Sequence, residues 1–275
     1  MHAKSWNEKE RVMGLEQINK RNELITQWVL EAGKTIKESF EKSIQVEEKS
    51  NRNDLVTEMD KKTEEMLIEN IRQHFPDERI FAEESDNEEI KDLDGVVWII
   101  DPIDGTLNFV KQQNDFAVMV AVYEDGVGQM AYIYDVMKDE LYSAIKGQGA
   151  SCNGQPIETV QDLPLKDGLV AISSLLLSGK NEAVRQVARK SNGVRMIGSA
   201  GLETLYVSSG RLVAYIAASL APWDIAAGKL IAEEVGLVYT QANGEKIDLL
   251  KKNPVVVATP AAHQEIIQHL AEKES

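Results

Sequence analysis

The sequence has little cysteine, few histidines and no long apolar segment. Its one cysteine, Cys152, excludes a disulfide within the chain and favours a reducing compartment. The four histidines lack the spacing of zinc ligands. No apolar run approaches the roughly 20 residues that span a bilayer, and the polar segment 1–14 lacks the apolar centre of a signal peptide. We therefore expect a cytoplasmic protein with no membrane partner.

Positive charge is also scarce, because 45 acidic residues outnumber 30 basic ones and give a formal net charge of -15. A field of that sign repels nucleic acid, so we expect no nucleic-acid partner. It also repels anionic small molecules such as phosphate esters. A protein of this charge that bound such a molecule would need a local source of positive charge, and bound cations are one candidate.

Apolar periodicity predicts a layered α+β protein with two sheets. Helices are predicted at about 10–40 and 60–75, with a charged mobile loop or hairpin at 41–53 between them. Apolar segments separated by turn residues then predict an antiparallel meander, with strands at 96–100, 116–122, 127–133 and 141–145. Beyond residue 181 helices alternate with strands. We expect one unit of two lobes, an α+β lobe at about 1–180 and an α/β lobe at about 181–275.

The segment 98–109, WIIDPIDGTLNF, contains the most informative pattern. A buried strand ends at Asp101, where ligands collect in sheet proteins. Pro102 is expected to end the ladder in a fixed turn that brings Asp104 close to Asp101. Gly105-Thr106 can open a helix whose free N–H groups bind phosphate. A plain turn is the alternative, but it does not explain two carboxylates after an apolar strand.

Three further acidic segments are ambiguous when each is taken alone. Asp224 lies in the first turn of a helix predicted to begin at Pro222, where an acidic residue commonly complements the helix dipole. Glu83 and Glu84 follow an apolar residue and alone would form a solvated turn. Asp60 could simply cap the second helix. Only their combination with the first segment indicates a shared site.

Together the four segments resemble the inositol monophosphatases of the lithium-sensitive, Mg-dependent phosphatase superfamily. DPIDGT at 101–106 and WDIAAG at 223–228 are similar to its two signatures, and the order of segments agrees from about residue 10 to 260. The resemblance implies an α-β-α-β-α sandwich and a homodimer. It also implies a phosphomonoesterase, in which a metal-activated water attacks the phosphate of a small molecule directly.

The resemblance assigns roles to individual residues. Two or three Mg²⁺ ions would be bound by Glu83, Asp101, the backbone carbonyl of Ile103, Asp104 and Asp224. Asp60 and Thr106 would orient the attacking water, and Glu83 would also serve catalysis. Substrate contacts would come from Asp104, Gly105, Thr106, Ser199, Ala200 and the position of Ala217, while Lys49 would lie near the outermost metal.

Elementary chemistry agrees with these roles. Four carboxylates in one cavity repel one another and take up protons unless cations are bound. Hard oxygen ligands suit Mg²⁺, which also binds phosphate oxygens. One such ion can lower the pKa of water, and another can stabilise the leaving alkoxide.

One position departs from the family pattern. Many inositol monophosphatases have a glutamate seven residues before the second-signature aspartate, where it contacts inositol hydroxyls, and that position here is Ala217. The missing acceptor favours a relaxed site. Such a site would take inositol phosphate and also other esters, among them the 2′-phosphate of NADP, fructose-1,6-bisphosphate and 3′-phosphoadenosine phosphate.

Two rival hypotheses stay open at this stage. Haloacid-dehalogenase-type phosphatases also place two aspartates after an apolar strand, but two residues apart, whereas Asp101 and Asp104 are three apart with Pro102 between them. That chemistry requires a trappable aspartyl-phosphate on Asp101. The other rival is a non-catalytic metal or phosphate sensor, which the intact carboxylates at every ligand position disfavour.

Overall fold

The computed structural model describes residues 8–41, 46–51, 54–87 and 90–271, without the side chains of 8–15, 48–51 and 54–55. Its elements follow in chain order: α1 Glu8–Ser39, β1 Val46–Asn51, β2 Asp54–Thr57, α2 Glu58–His74, β3 Arg79–Ala82, β4 Val96–Asp104, α3 Thr106–Gln112, β5 Ala117–Glu124, β6 Val127–Asp135, β7 Glu140–Ile145, β8 Ala150–Cys152, β9 Gln155–Pro156, β10 Val170–Ile172, α4 Ser174–Ser178, α5 Glu182–Lys190, β11 Val194–Arg195, α6 Ala200–Ser208, β12 Ala214–Leu220, α7 Pro222–Glu234, β13 Val238–Gln241, β14 Asn253–Ala258 and α8 Pro260–Ala271.

The first large sheet has seven strands in the order β3-β4-β5-β6-β7-β8-β9. β3 runs parallel to β4, and each later pair is antiparallel, so the predicted meander is confirmed. β1 and β2 form a separate antiparallel hairpin, one of the two forms predicted for segment 41–53. Lys49 lies in β1, but its side chain is outside the described residues.

The second large sheet has five strands in the order β11-β10-β12-β14-β13. β10 is parallel to both β11 and β12, whereas β14 is antiparallel to β12 and β13. Because β10 belongs to this sheet, the sheet begins ahead of the lobe boundary expected near residue 181. The division into two lobes stays a prediction.

Side chains of the sheets alternate between two apolar layers, as the two-residue period of a strand requires. In β4, Trp98 and Ile100 pack with α1 and α2, whereas Val97 and Ile99 pack with α6, α7 and the second sheet. The outer face of the second sheet packs with α5 and α8. The layers are therefore helix, sheet, helix, sheet, helix, which confirms the predicted fold class.

β4 continues through Pro102 to Asp104, so the prediction that proline ends the ladder is wrong. Asp101 pairs with Met119 of β5 and Asp104 pairs with Ala117, which leaves one extra residue on the β4 side. That is a β-bulge, and it absorbs the proline inside the strand. Residues three apart in a regular strand point to opposite faces. The bulge lets Asp101 and Asp104 face the same side.

α7 forms part of the middle layer between the two sheets and begins with Pro222, whose fixed φ suits the first helical position. Its small residues permit close packing: a Cβ on Gly228 would lie 2.9 Å from Thr204 Cγ2 of α6. At the start of the helix, the ring of Trp223 packs edge-on against Phe81 of β3, with centroids 5.5 Å apart. Within the described residues, no helix is both long and apolar enough to cross a membrane.

Candidate active site

Three carboxylates meet where β4 ends and α7 begins. Asp101, Asp104 and Asp224 each offer an oxygen, and these atoms lie within 4.8 Å of one another. Asp101 and Asp104 are 1% and 6% exposed, so Asp224 is the most open of the three. Segments 123 residues apart in sequence thus converge, as the two signatures predicted.

Asp224 also accepts the backbone N–H of Ala221 at 2.7 Å. The helix-capping interpretation of this residue is therefore correct alongside its place in the cluster. The cap fixes the carboxylate at the N-terminus of α7, facing the end of β4.

Glu83 adds a fourth carboxylate to the cluster. It directly follows β3, and its backbone N–H donates to Ile100 O at 3.2 Å, which holds it beside the end of β4. Glu83 is hydrogen-bonded to Asp101, and its charge raises the pKa of both Asp101 and Asp224. Four acidic side chains therefore share one small volume.

Burial raises the pKa of Asp101, Asp104 and Asp224, and repulsion from neighbouring carboxylates adds to the rise at Asp101 and Asp224. Burial raises the pKa of Asp101 well above its usual value, and the charges of Glu83, Asp104 and Asp224 add to that rise. Burial, followed by the charge of Asp104, raises the pKa of Asp224 to about 8. Without a cation, Asp224 holds a proton near neutral pH.

The residues present fit divalent cations. Asp101 Oδ1 is buried and has no hydrogen-bond partner among the described residues. A buried carboxylate oxygen without a donor is costly unless a cation balances its charge. Hard oxygen atoms at close range are the donor set that Mg²⁺ prefers.

Asp104 is held by the N-terminal turn of α6. Its oxygens accept Ser199 Oγ at 2.5 Å, Gly201 N at 2.7 Å and Ala200 N at 3.1 Å. These donors oppose the rise that burial imposes on the pKa of Asp104. Ser199 and Ala200, predicted as substrate contacts, therefore also orient a member of the carboxylate cluster.

Asp60 and Thr106 form a second polar pair beside the cluster. Thr106 Oγ1 lies 3.1 Å from Asp60 Oδ1 and 3.0 Å from Ile103 O, and its single hydrogen can serve one of them at a time. Asp60 Oδ2 accepts the N–H and hydroxyl of Thr57 at 2.7 and 2.5 Å, which makes it the third residue of a capping box. Burial raises the pKa of Asp60, and the Thr57 bonds oppose that rise.

Gly105 joins β4 to α3 with φ of +91°, the left-handed region that favours glycine. A Cβ at this position would lie 3.2 Å from both Asp115 O and Ser199 Cβ. The turn that follows Asp104 therefore packs directly against the segment that holds Asp104.

A pocket of about 350 Å³ opens beside the cluster. Its lining comprises Asp104, Ser173, Ser174, Met196, Ile197, Gly198, Ser199, Ala200, Glu203, Tyr215, Leu220 and Asp224. Ala217 lies in β12, 2% exposed, in the apolar layer between the two sheets. Its role as a substrate position stays a prediction.

Two buried glutamates that sequence reasoning missed hold the loops of the site. Glu64 accepts the backbone N–H of Glu84 at 2.8 Å and Ser85 Oγ at 2.5 Å. Glu203 accepts the N–H groups of Ile197 and Gly198 at 2.7 and 3.1 Å. Glu64 lies four residues after Asp60 on the same helix face, so a carboxylate on an apolar face was the available clue.

A buried carboxylate cluster, a hydroxyl–carboxylate pair and an adjoining open pocket define the site of a metal-dependent phosphoric monoester hydrolase. A family model described as the inositol monophosphatase family matches residues 19–275. The inositol-1-monophosphatase of Bacillus subtilis (strain 168) is 41% identical over 252 residues, which cover 90% of this chain and 95% of the relative. This chain therefore belongs to the inositol monophosphatase family.

Two further similar proteins are named for more than one phosphatase activity. The fructose-1,6-bisphosphatase/inositol-1-monophosphatase of Thermotoga maritima is 33% identical over 224 residues, covering 81% of this chain and 85% of the relative. A crystal structure of an IMPase/NADP phosphatase complexed with Mg²⁺ and phosphate matches with a TM-score of 0.85 and 34% identity. It covers 93% of this chain and 95% of that one.

Proposed function

We propose that this protein is a Mg²⁺-dependent phosphomonoesterase that hydrolyses inositol monophosphate and related small phosphate esters. The observation that carries the proposal is the cluster of Asp101, Asp104 and Asp224 with an unpartnered buried oxygen on Asp101. We also propose that it works in the cytoplasm, on the strength of its single cysteine, and as a homodimer, on the strength of the family resemblance.

Glu83, Asp101, the carbonyl of Ile103, Asp104 and Asp224 would hold two or three Mg²⁺ ions. When bound, the ions would neutralise the carboxylates, lower the pKa of water and balance charge on the phosphate and the leaving oxygen. Ser199 and the N-terminal turn of α6 support this role, because they fix Asp104 before any ligand arrives.

Asp60 and Thr106 would manage the proton of the attacking water. Thr106 Oγ1 can accept a hydrogen bond from the water while donating its own hydrogen to Asp60 Oδ1, 3.1 Å away. The water oxygen attacks phosphorus in line with the ester oxygen, the ester P–O bond breaks, and the water proton passes through Thr106 to Asp60, while the leaving oxygen takes a proton from solvent water. Gly105 and Thr106 would contact the phosphoryl oxygens.

A relaxed substrate range is the second part of the proposal. Ala217 supplies no carboxylate for inositol hydroxyls, and the open pocket of about 350 Å³ has room for a bulkier leaving group. Esters such as NADP, fructose-1,6-bisphosphate and 3′-phosphoadenosine phosphate are therefore candidate substrates beside inositol-1-phosphate.

Phosphate release from these four esters, with and without Mg²⁺, tests the proposal. We expect hydrolysis that requires Mg²⁺, is abolished by chelation and by Asp101→Asn in a folded protein, and is inhibited by lithium. Retention of activity after chelation would contradict the metal-dependent mechanism. A trapped aspartyl-phosphate on Asp101 would favour the covalent rival, and activity confined to inositol-1-phosphate would refute the relaxed range.

A further inference from the structure

The pocket beside the cluster has a lining that is poor in positive charge. Asp104, Asp224 and Glu203 line it, and the lining contains no lysine or arginine among the described residues. Lys61, which acts electrostatically on Asp60 and Glu84, is already paired with Glu47 at 2.8 Å. The charged side chains that an anionic group on the leaving portion of a substrate would meet at this lining are therefore all carboxylates.

Lys252 is next in the chain to a residue that pairs with the lining of this pocket. The last pair in the β12–β14 ladder joins Leu220, which lines the pocket, to Asn253. Lys252 directly precedes Asn253, at the point where β12 leads into α7 and Asp224. Burial is the main cause of the raised pKa of Asp224, and the positive charge of Lys252 opposes it, so this ammonium acts on the cluster.

The ammonium of Lys252 is also available for binding. The residue is exposed, and its side chain makes no ion pair with any residue that the structure describes. Its neighbour Lys251, by contrast, is paired with Asp248 at 3.0 Å. Asn253 is fully buried and bonded to Asp248 O and Lys251 O, so the backbone that carries Lys252 is fixed.

We propose that Lys252 binds a second anionic group on the leaving portion of the substrate. The preferred substrates would then be phosphate esters whose leaving group itself carries a phosphate or pyrophosphate. This inference rests on the proposed function, because it assumes that the first phosphate is bound at the carboxylate cluster with its cations.

Charge geometry explains why one lysine would decide between substrates. The reacting phosphate is balanced by cations, whereas a second anion further along the pocket faces Asp224 and Glu203 at the lining. Lys252 supplies the opposite charge there and offsets this repulsion. An uncharged leaving group such as inositol gains nothing from it.

Steady-state kinetics of Lys252→Gln test the proposal, with inositol-1-phosphate as the reference ester and fructose-1,6-bisphosphate and NADP as doubly anionic esters. We expect KM for the doubly anionic esters to rise about threefold to fivefold, with kcat and the reference KM little changed. Lys252→Arg should restore the wild-type KM. High salt should reduce the difference between the two proteins, since exposed charges are screened.

Lys251→Gln is the matched control, because it removes an adjacent exposed ammonium that already has a partner. Equal changes for both ester classes in Lys252→Gln, or equal effects of the two variants, would overturn the proposal. It also fails, together with the relaxed substrate range, if the wild-type protein cleaves only inositol-1-phosphate, although the proposed Mg²⁺-dependent phosphomonoesterase activity then stands. If no ester is cleaved with Mg²⁺ present, both fail together.

Discussion

The two oxygens of the Asp60 carboxylate have different roles, one structural and one proposed to be catalytic. Its Oδ2 caps α2 through Thr57, and its Oδ1 faces Thr106 Oγ1. Because the capping bonds fix the carboxylate, the orientation of the Thr106 hydroxyl depends on a helix terminus.

Asp60→Asn should lower kcat by about 100-fold, because the amide cannot take the proton of the attacking water. Thr106→Ala should lower kcat similarly, whereas Thr106→Ser keeps the hydroxyl and should keep most of the activity. Phosphate release at saturating substrate and Mg²⁺ measures these effects. Unchanged kcat in Asp60→Asn, with the wild-type melting temperature, would rule out the proposed role.

Gly105→Ala should cost about 2–3 kcal/mol of unfolding free energy, because it combines a left-handed φ with a tight Cβ contact. Gly147→Ala is the control: its φ is +73°, but no atom lies within 4 Å of the added Cβ. That change should cost only about 1 kcal/mol. Urea unfolding of both variants measures the difference, and equal costs would refute the role of the Asp115 and Ser199 contacts.

Two residues on the same face of α2, one turn apart, support the site. Asp60 at its start faces Thr106, and Glu64 one turn later binds the loop that carries Glu83 and Glu84. Residues four apart on a helix lie on the same side, so a single helix positions both the proton-handling pair and an edge of the metal cluster.

Glu64→Ala should raise the Mg²⁺ concentration for half-maximal activity by about tenfold, because the loop that carries Glu83 loses two hydrogen bonds. At saturating Mg²⁺ we expect kcat to be largely retained. The exposed neighbour Glu65, changed to alanine, should leave the Mg²⁺ dependence unchanged. A fall in kcat with no change in Mg²⁺ dependence would contradict this positioning role.

The sequence predicted the long elements and missed three of the short strands, for a physical reason. The long helices and the central strands have enough residues for their apolar positions to show the helical or strand period. β3, β10 and β13 have three or four residues each, so their strand character depends on neighbours that only the fold supplies.

The site was predictable where its functional residues are close together in the sequence. It was less predictable where it depends on contacts between distant segments. The sequence could place Asp101 and Asp104 close together. The bulge that directs both side chains to the same face, however, depends on pairing with β5. The support from Glu203 depends on a loop at Ile197 that folds back onto α6. Such contacts have no local sequence pattern.

For the whole molecule, folding, protonation and metal binding are linked through the cluster. The unfolded chain releases its aspartate protons near pH 4, whereas Asp224 in the metal-free folded protein holds its proton to about pH 8. In this window the folded state binds more protons than the unfolded state. The unfolding free energy of metal-free protein therefore falls as pH rises from about 4 through about 8.

We expect the melting temperature of chelated protein to fall from about pH 6 to about pH 8.5, as these protons are lost. Mg²⁺ should raise the melting temperature more at the higher pH, where protons no longer compete with it. Calorimetry with and without Mg²⁺ measures both effects. Asp224→Asn should flatten the slope, and an equal Mg²⁺ effect at both pH values would contradict the linkage.

The tight contact between Gly228 and Thr204 bears on how enzymes of this kind are recognised in genomes. Of the six residues 223–228, Asp224 alone belongs to the carboxylate cluster. Trp223 packs against Phe81 of β3, and Gly228 packs against Thr204 of α6. Selection for the scaffold could preserve this hexapeptide in a descendant whose Asp101 had mutated and which no longer turned over any ester. Assigning activity across genomes is therefore safer when both segments are required.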